Sequence, residues 1–115
     1  MEIITDADRL AALGHETRLA IFRLLVQTGV EGLSAGVIGE RLEIAAATLS
    51  FHLAQLSRVG LVTSRQQGRY IFYAADYATM DELIAFLTDN CCQGKSCLPR
   101  IASAGSARRS TKQPA

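Results

Sequence analysis

Three cysteines fall within Asn90-Cys91-Cys92-Gln93-Gly94-Lys95-Ser96-Cys97, and the chain holds no others. Neighbouring side chains on an α-helix point about 100° apart, so Cys91 and Cys92 converge on one centre only where a helix is ending. Gly94 follows two residues later, placed to turn the chain back and bring Cys97 round. The segment contains no His or carboxylate, which leaves a soft, all-sulfur ligand set. Structural zinc takes four protein ligands, and catalytic zinc takes three plus a water. Three sulfurs without a fourth ligand suit a trigonal centre better, such as arsenite or antimonite, whose lone pair occupies the fourth direction. Lys95 favours the thiolate form of its neighbours. Mercury and a redox signal compete for the same atoms, and three exposed thiols with no ligand at all are the plain alternative. No Cys-x-x-Cys is present, which argues against a thioredoxin-like enzyme.

The second set of chemistry-bearing residues lies near the middle of the chain. Leu49, Leu53 and Leu56 fall at i, i+4 and i+7, which predicts a helix from about Ala46 to Val59 with that stripe inward and Gly60 as its stop. Thr48, Ser50, Phe51, His52, Gln55 and Arg58 lie off the stripe. Hydroxyls donate to phosphates and base edges, and Gln and Arg carry the bidentate geometries that read adenine and guanine. His52 is as well suited to packing beside the stripe as to touching nucleic acid. A Val-, Ile-, Thr-, Tyr- and Phe-rich pair of segments, Leu61 to Arg65 and Arg69 to Ala74, flanks Gln66-Gln67-Gly68 and reads as a hairpin with Arg65 and Arg69 near its tip. From Arg41 to Arg69 there are four arginines against Glu43, a local charge of +3 inside a chain whose net charge is +1. Such a footprint suits a phosphate backbone. An amphipathic helix with a merely solvated face does not account for that excess.

The elements that position these groups follow from periodicity. Asp8 to Leu13 forms a short helix. His15 to Thr28 forms a second, with Leu19, Phe22 and Val26 as its apolar stripe and His15 as a local turn or capping residue. Ser34 caps a third, short helix whose Val37, Ile38 and Leu42 face inward. After the central helix and the hairpin, Met80, Leu83, Ile84 and Leu87 stripe a last helix from about Ala78 to Asn90. The architecture is mainly α with a β-hairpin wing, in the order of a winged helix-turn-helix.

Three segments carry a specific likeness: ALGHETRLAIFRLL, TLSFHLAQLSRVGLV and RQQGRYIFY. Together they resemble the ArsR/SmtB family of metal- and metalloid-responsive repressors, over about residues 8–90. The resemblance implies a homodimer built on the first and last helices and a recognition helix beginning near Ala46. It also implies repression of transcription by binding double-stranded operator DNA. Two departures stand out. The start of the recognition helix, Ile44-Ala45-Ala46-Ala47, offers no capping side chain. The family's usual Cys-x-Cys, on the helix before the recognition helix, is missing from Glu31-Gly-Leu-Ser-Ala-Gly-Val37. Clustered cysteines after the last helix resemble a variant among arsenical repressors, which makes Cys91, Cys92 and Cys97 the expected effector site. A winged helix that binds protein partners without DNA is the competing reading.

Composition bounds the remainder. With 115 residues the chain holds one hydrophobic core, and no apolar run approaches the roughly 18 residues that span a bilayer. The start, MEIITDADRL, lacks the basic and apolar regions of a secretory signal. An odd number of cysteines without such a signal points to a reducing, cytoplasmic compartment. Residues 1–97 are expected to form the DNA-binding and dimerisation domain with its thiol site. Residues 98–115, acid-free and poor in large apolar side chains, are expected to be a basic, disordered tail. Ser50 and His52 are two apart on one helix and cannot face each other as nucleophile and base, so an enzyme is not expected.

Overall fold

Leu49, Leu53 and Leu56 stand at the centre of the fold, each no more than 2% exposed. In the computed structural model, which describes residues 3–95, they belong to α4, Ala46–Arg58. Around this helix the chain places α1 (Ile3–Leu13), α2 (Glu16–Thr28), α3 (Ala35–Leu42) and α5 (Tyr77–Leu87), with strands β1 (Leu33–Ser34), β2 (Val62–Gln67) and β3 (Tyr70–Ala75). A short 3-10 turn, Cys91–Gly94, follows α5. The expected mainly helical winged helix-turn-helix is the observed one.

Local chemistry explains most boundaries. The Ser34 hydroxyl accepts from the Val37 N–H and starts α3, as its sequence position predicts. Asp76 does the same for α5 through the Thr79 N–H at 3.0 Å. His15 caps α2, its Nδ1 accepting from the Thr17 N–H at 3.1 Å. No side chain caps α4, which begins after Ala45. That helix rests instead on good intrinsic propensity and on burial of its leucines. Gly68 takes a φ of 65° at the tip of the β2–β3 hairpin, the conformation that the turn requires.

The sheet is larger than the hairpin. β1 pairs antiparallel with β3, setting Leu33 opposite Tyr73, and the strand order is β1-β3-β2. Gly32, at φ 75°, makes this pairing fit, because a Cβ there would lie 2.2 Å from the Tyr73 carbonyl oxygen. A two-residue strand has no period to read, so the sequence carries no sign of it.

The first two helices differ from expectation. On α2, Ile21 and Leu25 are fully buried and Phe22 nearly so, whereas Leu19 is 43% exposed. The inward face of α2 is rotated because it packs both on α4 and under β3. The first helix begins at Ile3 rather than Asp8, and Ile3, Ile4 and Leu10 all lie exposed along it. On α5, Leu83 is buried while Ile84 and Leu87 face outward. The expected tail, residues 98–115, lies outside the described residues.

Candidate nucleic-acid interface and thiol site

α3 and α4 are joined by a tight turn whose residue Glu43 adopts φ 57°, and the Ile44 N–H donates to the Gly39 carbonyl at 2.9 Å. With its leucine stripe buried, α4 leaves Thr48, Ser50, Phe51 and Arg58 exposed, and Gln55 half-buried. Phe51, 57% exposed, is the large apolar group of this face. The Arg58 guanidinium donates to the Gln55 side-chain oxygen, so the two present a joined polar surface.

His52 departs from the set. Its ring is buried rather than outward, 7% exposed, and Arg18 Nη1 donates to its Nδ1 at 3.2 Å. The ring sits 4.9 Å from that of His15 and 5.4 Å, edge-on, from that of Phe51. Burial, then His15 and then Arg18 push its pKa below the usual 6.5. Helical spacing places His52 one position before Leu53, at the margin of the stripe, and contact with α2 decides which way it turns.

The wing also differs in detail. Arg69 is exposed beside the tip, as expected. Arg65 instead lies within β2, in register with Phe72, and its guanidinium rests 5.0 Å over that ring. It donates to the Glu31 carbonyl at 2.9 Å, to the Glu31 carboxylate at 3.4 Å and to the Gln67 side chain at 3.0 Å. Arg65 thus fastens the hairpin to the loop before β1. Sequence reasoning missed this anchor because Glu31 lies 34 residues away.

At the far end, Asn90, Cys92 and Gln93 all take φ between 55° and 58°, and Gly94 takes 87°. This left-handed turn places the Cys91 and Cys92 sulfurs 3.7 Å apart. Cys92 is disulfide-bonded. Cys97 lies outside the described residues. Among those residues, no group of three or more His, Cys, Asp or Glu side chains is gathered to hold a metal ion.

A helix-turn-helix domain model matches residues 13–65, from the end of α1 into β2. The transcriptional activator HlyU of Vibrio cholerae is 36% identical over 84 residues, covering 73% of this chain and 75% of HlyU. The chain belongs to the ArsR family of helix-turn-helix transcriptional regulators. A second relative, in Halobacterium salinarum, carries the name of an arsenical resistance operon repressor, ArsR. It is 37% identical over 68 residues, covering 59% of this chain and 52% of its own. Among solved structures, a homodimeric winged helix-turn-helix DNA-binding domain from Mycobacterium bovis, a possible ArsR-family regulator, superposes with a TM-score of 0.61. It is 25% identical and covers 84% of this chain and 89% of its own. These ArsR-family relatives are transcriptional regulators, not enzymes. No helix among the described residues is long and apolar enough to cross a membrane.

Proposed function

We propose that this ArsR-family regulator is a repressor that binds operator DNA as a homodimer and lets go when trivalent arsenic or antimony binds Cys91, Cys92 and Cys97. The observation that carries the effector half is the 3.7 Å approach of the Cys91 and Cys92 sulfurs on a left-handed turn just beyond α5. Three thiols and one arsenous acid give a tris-thiolate and three waters, so no oxidant or reductant is consumed. Three thiolates are present only once the Cys92 disulfide is reduced.

The DNA half rests on the exposed face of α4. Thr48, Ser50, Phe51 and Gln55 read base edges in the major groove, while Arg58 and the wing's Arg69 meet phosphates. Exposed Ile3 and Ile4 on α1, with Ile84 and Leu87 on α5, supply an apolar face for the second copy. The two recognition helices then enter successive major grooves about 34 Å apart. Ligand at the end of α5 moves a helix of this dimer face and alters that spacing. A 100-fold loss of affinity needs about 2.7 kcal/mol of coupling.

The test uses a fluorescent duplex that the chain itself selects from a random-sequence library, with the protein held in thiol-free reductant. Arsenite and antimonite release the duplex from the wild type, and Cys91→Ser and Cys92→Ser bind it but no longer release it. A Cys92→Ser protein that responds normally to arsenite overturns the three-thiol site.

The disulfide at Cys92 favours a second reading, in which oxidation is the signal. There two thiols yield a disulfide, and their two electrons and two protons convert a peroxide to water and an alcohol or a second water. Peroxide, zinc and mercury run in the same titration separate the two readings.

A further inference from the structure

Arg18 joins three elements through one guanidinium. Its Nε donates to the Ala12 carbonyl at the end of α1 at 2.6 Å, and its Nη1 donates to His52 Nδ1 on α4 at 3.2 Å. Arg18 itself sits on α2. A guanidinium has no acceptor, so His52 must offer a bare nitrogen lone pair, with its proton on Nε2. The imidazole is buried between His15 and Phe51, whose rings fix it from two sides.

We infer that Arg18 and His52 form a positioning contact that sets the pose of α4 for DNA, and that neutral His52 is the binding-competent state. This rests on the reading of α4 as the recognition helix. When the ring is protonated, Nδ1 becomes a donor aimed at a guanidinium donor, and two cations are left in contact. The bond from α1 and α2 to α4 is then lost, with no change at the base-contacting side chains themselves.

The groups around the ring agree on the sign. From the α1–α2 junction and α2 they are His15 and the Arg18 guanidinium, and α4 itself contributes uncharged Phe51. α1 reaches the cluster through the Ala12 carbonyl. Asp8 of α1 and Arg58 of α4 line a cleft of about 150 Å³ beside Arg18, one acid and one base. Burial, His15 and Arg18 hold the ring's pKa below 6.5. The contact is therefore complete above that value and is lost as pH falls through the lower folded value.

The experiment measures affinity for the selected duplex between about pH 7.5 and 5.5, at constant salt. Wild-type affinity falls at the acid end of this range, by at most about tenfold. His52→Asn keeps an acceptor near the Nδ1 position and cannot titrate, so its profile is flat. His15→Asn keeps a capping oxygen on α2 and retains the slope. His52→Phe has no acceptor and binds about tenfold more weakly at every pH. A flat wild-type profile, or an equal slope in His52→Asn, overturns the inference.

A second measurement does not involve DNA. The His52 ring titrates below 6.5 when followed by NMR, and Arg18→Met raises that value. A ring unmoved by Arg18→Met overturns the inference even if the chain selects no duplex, whereas failure to select a duplex speaks only against the DNA reading.

Discussion

Arg9 Nε donates to the carbonyl of Val59 at 3.1 Å, which fastens α1 to the C-terminal cap of α4. The same guanidinium reaches Asp6 Oδ1 at 3.4 Å, and Asp6 is 1% exposed. The Asp6 Oδ2 atom has no hydrogen-bond partner among the described residues. A buried carboxylate beside one cation is costly to strip of that cation.

Arg9→Met is therefore expected to lower folding stability by about 1–3 kcal/mol, read from the urea midpoint. Adding Asp6→Asn removes the uncompensated charge and recovers part of the loss. Strictly additive losses in the double-mutant cycle would show that the two residues do not act as a pair.

The wing arginines separate into two roles. Arg69→Ala removes an exposed cation at the tip, so it weakens binding uniformly across sequences and flattens the salt dependence by about one unit of slope. Arg65→Ala releases the hairpin from Glu31 and uncovers the Phe72 ring within it, so it adds faster amide exchange in β2 and β3. Equal exchange in both variants would reduce Arg65 to a second surface charge.

The missing cap on α4 offers a gain. Ala45→Ser gives the exposed N–H groups of the first turn an acceptor, and stability should rise by about 1 kcal/mol, seen as a higher melting temperature. No change in melting would mean that this helix start is already satisfied. The departure at Ala45 was legible in the sequence, because capping depends on one side chain and the amides two or three residues on. Ser34 and His15 were legible as caps for the same reason.

Other features became visible only with the fold in place. Leu19 and Ile21 are both apolar and two apart on α2, and periodicity alone does not decide which of them faces the core. Contact with β3 makes that choice. The β1–β3 pairing joins residues about 40 positions apart and depends on the bare Cα of Gly32.

The sequence by itself determined the winged helix-turn-helix order, the leucine stripe of α4, the turn at Gly68 and the clustering of all three cysteines. Each of these depends on spacing within a few residues, where backbone geometry leaves little choice. The tertiary structure alone decided that His52 turns inward to Arg18, that Arg65 anchors the wing, and that the Cys91 and Cys92 sulfurs meet at 3.7 Å. The first two depend on partners 34 residues away, whose positions no local pattern encodes. The third depends on three non-glycine residues, Asn90, Cys92 and Gln93, taking left-handed backbone conformations that most side chains disfavour.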